Sequence, residues 1–182
     1  MSELISGKII SSQIKEELRN EIENLKERGL EPCLAVVLVG EDPASTVYVR
    51  NKKRTCEELG IRSVGHDIPE TTSQDELENL VNDLNNDPSV HGILNQFPLP
   101  NGLDESRVIR KISPEKDVDG LNPLNAGLIA MGQPSFISCT PYGVLQMLKR
   151  SNISTSGKNA VVLGRSNLVG RPIATLLSSK GW

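Results

Sequence analysis

Histidine is nearly absent from this chain: His66 and His91 are the only two in 182 residues, and neither has a partner at helical spacing. Without an H-E-x-x-H motif or an i, i+4 pair, no metal is expected. Cysteine is scarce and odd in number. Cys33, Cys56 and Cys139 stand far apart and form no CxxC. A disulfide framework is therefore excluded, and each reads as a reduced thiol packed inside a cytoplasmic protein. No apolar run approaches the roughly 20 residues of a membrane span. The N-terminus is charged by residue 15 and has no apolar signal-peptide core. Nor is there an excess of positive charge: 20 Lys and Arg against 23 Asp and Glu leave a net −3. That argues against nucleic acid or an anionic membrane as the main partner. No internal repeat or low-complexity tract appears.

What is present is an ordinary apolar fraction, 37%, enough to build a core, and an alternation of strand and helix patterns. This alternation predicts an α/β fold with a mostly parallel sheet. Ile10, Ile14, Leu18, Ile22 and Leu25 recur at helical spacing and stop at Gly29. Residues 33–39 (CLAVVLV) are continuously apolar, as in a strand covered on both faces. A loop (GEDPAS) leads into a helix over 45–59, and 61–68 reads as a second, more polar strand. Ser73 and Glu76 form a capping box ahead of Leu77, Leu80, Val81 and Leu84. A third strand over 90–95 stops at Pro98 and Pro100, and a short helix spans 104–112. A loop rich in charge, Gly and Pro follows through Gly132, then a short strand over 135–139. Thr140 caps a last helix of this part, with Pro141 at its first position.

Four stretches bear chemistry. Ser45, Tyr48 and Lys52 stand at i, i+3 and i+7, which puts a hydroxyl, a phenol and an amine on one helix side. A lysine beside an aromatic wall can move protons; the plainer alternative is a solvated lysine among Arg50, Lys53 and Arg54. Gln96 follows the third strand, where ligands of parallel sheets gather, although a simple strand-ending turn explains it as well. Asp117 and Asp119 lie in PEKDVDG. A fixed carboxylate there would suit a planar amidine-like edge, while paired loop aspartates also serve as turn-formers.

The fourth stretch is near the end. Residues 159–164 (NAVVLG) read as a buried strand, 165–170 (RSNLVG) as a tight turn and 172–180 as a helix. Strand, glycine-bearing turn and helix begin a Rossmann-type domain, with helix N–H groups aimed at a pyrophosphate. Ser166 stands at the second glycine position of G-x-G-x-x-G. Arg165 could pair with a 2′-phosphate, which favours NADP over NAD. Only 24 residues follow Lys158, whereas such a domain needs on the order of 150. An incomplete cofactor domain is therefore expected after a linker at 151–158.

Taken in order, GKIIS, GEDPAS-x-x-YV-x-x-K, HGILNQFPLP, PEKDVDGLNPLNAG, CTPYG and GRSNLVGRP resemble the bifunctional methylenetetrahydrofolate dehydrogenase/methenyltetrahydrofolate cyclohydrolase family. The resemblance covers essentially the whole chain. It implies an N-terminal three-layer, folate-binding catalytic domain over 1–150 and the beginning of a Rossmann-like NADP-binding domain over 151–182. It implies oxidation of 5,10-methylenetetrahydrofolate with hydride passing to NADP⁺, then hydrolysis to 10-formyltetrahydrofolate. Lys52 would be the catalytic amine, Tyr48 would stack on the folate rings, and Gln96 would hydrogen-bond near Lys52. Asp119 would grip the pterin edge, Ser45 would orient the helix face, and Pro98 and Leu99 would line the substrate. Gly164, Arg165, Ser166 and Gly170 would hold the NADP phosphates. A homodimer, a cytoplasmic location and a link to purine biosynthesis are further implications for the intact enzyme. A folate-binding piece without turnover, or an enzyme with one of the two activities, are the alternatives. The family strand usually reads GILVQLPLP, so Asn95 and Phe97 replace two aliphatic residues here, and Ser138 stands where proline often precedes CTP.

Overall fold

The computed structural model describes residues 4–178, and the end of the expected 172–180 helix lies outside them. Residues Glu17–Val118 form one compact unit. The rest of the described chain forms a second, whose N-terminal piece ends at Glu16 and whose C-terminal piece starts at Asp119.

The first unit is built on a three-stranded parallel sheet in the order β2-β1-β3, with β1 at Cys33–Val39, β2 at Arg62–Ile68 and β3 at Gly92–Asn95. The α/β class with a parallel sheet is as the alternation predicts. Before β1 runs α1 (Gly7–Glu27), and α2 (Pro43–Leu59) and α3 (Gln74–Asn86) connect the strands. β1 is apolar throughout because it is central and covered on both sides. Cys33, Ala35, Val37 and Val39 pack with Leu77, Val81 and Leu84 of α3 and with Ile93 and Val108. Val36 and Leu38 pack with Val49 of α2 and Leu94. α3 has the full capping box: Ser73 N–H donates to Glu76 Oε2 at 2.8 Å, and Glu76 N–H donates to Ser73 Oγ at 3.3 Å. α4 (Glu105–Lys111) is fastened to α3 at both ends. Asp104 N–H donates to Gln74 Oε1 at 2.7 Å, and Asn85 Nδ2 donates to Lys111 O at 2.8 Å.

At the end of β3 the apolar rule is broken. Asn95 is 2% exposed, and neither its Nδ2 nor its Oδ1 has a hydrogen-bond partner. A buried, unpaired amide is costly. Asn95→Val is expected to raise stability by about 1–2 kcal/mol, read as a higher urea midpoint; a lower midpoint would show that the amide is stabilising.

The second unit holds α5 (Pro123–Ala130), α6 (Cys139–Arg150) and α7 (Gly170–Ser178). α5 replaces part of the loop expected up to Gly132. It starts with Asn122, whose side chain accepts from Leu124 N–H, and with Pro123 at its first turn. This is a helix-start signal that a mostly apolar, non-periodic body hides. Residues 135–138 are not a strand, and α6 begins at Cys139 with Ser138, not Thr140, in the cap position. The larger correction concerns 159–164. They form no strand, and Val161 and Leu163 are 86% and 96% exposed. A strand exists only through its neighbours, and none of the described strands pairs with this stretch. No described helix is long and apolar enough to cross a membrane.

Candidate active site

α2 carries three of the expected site residues. Pro43 occupies its first turn, and Asp42 Oδ2 accepts from Ser45 N–H at 2.7 Å, which fixes where the helix starts. That hydrogen bond holds the exposed Asp42 carboxyl below its ordinary value. The Ser73 N–H and hydroxyl do the same for Glu76. A carboxyl with a depressed folded-state pKa contributes stability above its unfolded pKa and loses it as pH falls through the folded one. The urea midpoint should therefore fall on acidification below about pH 4. Asp42→Asn, which caps without titrating, should show the smaller fall; an equal fall would remove Asp42 from this account.

Ser45, Tyr48 and Lys52 lie along one side of α2, but they differ in burial. Ser45 is 3% exposed and Tyr48 is 61% exposed, with Lys52 half-buried. Lys52 Nζ donates to Gln96 Oε1 at 3.0 Å across 44 residues of sequence. Gln96 is held from two sides. Its N–H donates to Val37 O at 2.9 Å, continuing the sheet ladder beyond β3, and its Nε2 donates to Phe97 O at 2.8 Å. Since Nε2 is committed to Phe97, Oε1 is the atom turned to the lysine. The Phe97–Pro98 peptide is cis. Pro98 and Leu99 line a cleft of about 370 Å³ with Gly40, Asp42, Glu70 and Pro100; neither Lys52 nor Gln96 borders it.

The PEKDVDG segment is welded to β3. Ile93 N–H donates to Lys116 O at 2.7 Å, and Ile93 bridges Asp117 in parallel. Lys116 Nζ donates to Leu84 O at 3.0 Å and Asp87 O at 2.8 Å, closing the C-terminal end of α3. Gly92 allows this approach, because a Cβ there would lie 2.5 Å from Val118 Cγ1. Asp117 is 3% exposed.

Asp119 belongs to the second unit, where Cys139 Sγ lies 3.9 Å from its Oδ1. Cys139 is exposed, unlike the buried Cys33 and Cys56, whose thiols burial pushes up. Its expected packing in the interior is thus corrected: at the first residue of α6 it sits outside any core. Sequence reasoning also passed over Lys116 as a fastening residue and Cys139 as a neighbour of Asp119; position inside PEKDVDG and CTPYG was the only available signal.

In the glycine-bearing turn, Ser166 Oγ accepts from Val169 N–H at 3.2 Å and from Gly170 N–H at 3.3 Å. The hydroxyl thus caps α7. Ser138 Oγ donates to Leu168 O at 2.8 Å. A Cβ on Gly170 would collide with Gly164 O and lie 2.7 Å from Arg165 N, so only glycine fits where helix and turn meet. Arg165 is exposed.

Residues 5–119 match the model of the tetrahydrofolate dehydrogenase/cyclohydrolase catalytic domain, and 138–182 that of the same family's NAD(P)-binding domain. The chain is 54% identical over 177 residues to the bifunctional protein FolD of Agathobacter rectalis, covering 97% of this chain and 63% of that protein. It is 58% identical over 171 residues to the bifunctional protein FolD of Caldicellulosiruptor saccharolyticus, covering 92% and 61%. The fold superposes on the bifunctional dehydrogenase/cyclohydrolase FolD of Campylobacter jejuni with a TM-score of 0.95 at 48% identity, over 96% of this chain and 62% of the other. The corresponding Trypanosoma brucei enzyme, solved with NADP cofactor and an inhibitor, gives 0.92 at 35% identity, over 97% and 61%. The chain therefore spans about three-fifths of the length of the relatives it matches, at 63% and 61% of the two FolD proteins. On this match across both domains, the chain belongs to the tetrahydrofolate dehydrogenase/cyclohydrolase family.

Proposed function

We propose that the chain acts in one-carbon folate metabolism. In this reading it carries the folate site of an enzyme that oxidises 5,10-methylenetetrahydrofolate and hydrolyses the 5,10-methenyl product to 10-formyltetrahydrofolate. The observation that carries the reading is the 3.0 Å hydrogen bond from Lys52 Nζ to Gln96 Oε1, in the region that matches the family's catalytic domain.

Hydration of the methenyl bridge needs a placed proton carrier. Water attacks the iminium-like carbon, a C–O bond forms, and the Lys52 amine takes the water proton. The C–N5 bond then breaks as N5 takes back that proton, and the carbinol O–H gives its remaining proton to solvent as the formyl C=O forms. Gln96 keeps Nζ aimed throughout, because its amide cannot turn without losing Phe97 O. Tyr48, exposed on the same side of α2, offers a stacking face to the folate rings. Asp119 offers two oxygens to the amino-pyrimidine edge, and Ser45 orients α2. Pro98 and Leu99 form the rigid substrate wall beyond β3.

The 164–170 turn supports a pyrophosphate site in one respect: Gly170 lets the start of α7 pack closely on the 164–165 backbone, as a glycine does where such a turn meets its helix. Gly164, Arg165, Ser166 and Gly170 would hold the phosphates of NADP, and Arg165 its 2′-phosphate. NADP supplies the hydride acceptor for the oxidation. The 1–150 and 151–182 division belongs to this reading, as do a homodimer of the intact enzyme, a cytoplasmic site of action and a supply of one-carbon units to purine biosynthesis.

The direct test follows the absorbance of methenyltetrahydrofolate with this protein added. Decay faster than in buffer is expected. Folded protein that leaves the buffer rate unchanged would overturn hydration by this chain.

A further inference from the structure

The loop that fixes Gln96 has few ways of being fixed itself. Pro98 and Pro100 bring no N–H groups, which leaves the loop short of donors. Leu99 N–H donates to Glu105 Oε1 at 2.9 Å. Glu105 is the first residue of α4, and α4 is rigidly held. Gln74 and Asn85 fasten its two ends to α3, Arg107 Nε lies 2.8 Å from Glu78 Oε1, and Val108 is fully buried. Three hydrogen bonds thus follow one another along the loop: Glu105 Oε1 accepts from Leu99 N–H, Phe97 O accepts from Gln96 Nε2, and Gln96 Oε1 accepts from Lys52 Nζ.

We propose that Glu105 is a positioning residue for the Lys52–Gln96 pair, acting through the 96–100 loop. Its carboxylate touches neither residue. It sets the loop, and the loop sets which way the Gln96 amide faces. The consequence for hydration rests on the functional reading above; the mechanical linkage does not.

The test compares Glu105→Ala, Glu105→Gln and Arg107→Ala with the parent protein. Two readouts are used: the Gln96 side-chain amide resonances by NMR, and methenyltetrahydrofolate hydration. In Glu105→Ala the Gln96 resonances should move toward those of a solvated amide, and hydration should fall about tenfold or more, as a small misplacement suffices for this. Glu105→Gln keeps an acceptor oxygen but makes a weaker, uncharged bond, so the same resonances should move in the same direction by less. Arg107→Ala removes one tie of α4 to α3 but keeps those of Gln74 and Asn85 and the Glu105–Leu99 hydrogen bond, and should leave Gln96 where it is. Unmoved Gln96 resonances in folded Glu105→Ala would overturn the proposal. If that variant does not fold, Glu105→Gln decides. A shifted Leu99 amide beside unmoved Gln96 resonances overturns the linkage, and concerted shifts support it. Concerted shifts in a parent protein with no hydration would uphold the linkage and remove the functional reading instead.

Discussion

Lys52→Met is expected to remove methenyltetrahydrofolate hydration almost completely, by roughly a hundred- to ten-thousand-fold, the usual contribution of a positioned acid–base group. The fold should survive. Lys52 is half-buried and its hydrogen bond to Gln96 crosses no core cluster, and methionine preserves the unbranched stem. Leaving Gln96 Oε1 without its donor costs little where solvent reaches. Lys52→Arg separates two explanations. Arginine keeps the positive charge and the reach but cannot give up its proton, so it should be nearly as inactive if the amine moves protons. Substantial activity in Lys52→Arg would mean that charge alone serves the reaction, and near-normal hydration by folded Lys52→Met would remove Lys52 from it. Absorbance decay of the methenyl compound, with circular dichroism as the check on folding, decides both.

Gly120→Ala should be strongly damaging to the second unit. Gly120 has φ of +62°, where an L side chain costs about 1–2 kcal/mol. Space is short as well. A Cβ there would lie 2.5 Å from Phe136 O and 2.8 Å from Phe136 C, so the backbone of one segment must move. Together the two effects should cost on the order of 3 kcal/mol. Because Asp119 is the preceding residue, folate affinity should fall with stability if Asp119 grips the pterin. Urea unfolding and calorimetric titration with a folate measure the two. An unchanged unfolding midpoint would show that the chain relaxes around residue 120 without cost. A lower midpoint with undiminished folate binding would relieve Asp119 of its assigned part.

Much of the first unit was legible because its signals are local. The capping box of α3 lies within four residues, and its apolar side follows from Leu77, Val81 and Leu84. The proline and glycine at the two ends of α2 mark its limits to within two residues. β1 declares its burial on both faces by being apolar without interruption. α5 was hidden because its start signal, Asn122 followed by Pro123, precedes a body with no apolar period to detect. Cys139 was misplaced because composition says where cysteines usually go, whereas one residue's exposure depends on what packs above it.

Residues 159–164 show the boundary most clearly. NAVVLG has the composition of a core strand, yet Val161 and Leu163 are in solvent. A helix closes its hydrogen bonds within itself, so α7 forms next to this stretch and is capped by Ser166. A strand must borrow its bonds from another strand. By itself the sequence determined most of the helices, the capping box of α3, the buried central strand and the ordered motifs that mark the family. The tertiary structure decided the 3.0 Å approach of Lys52 Nζ to Gln96 Oε1 that the family resemblance only implied, that Glu105 holds the loop after Gln96, and that Asn95 is buried without a partner. Such pairings join residues far apart in the chain, and no local preference encodes them.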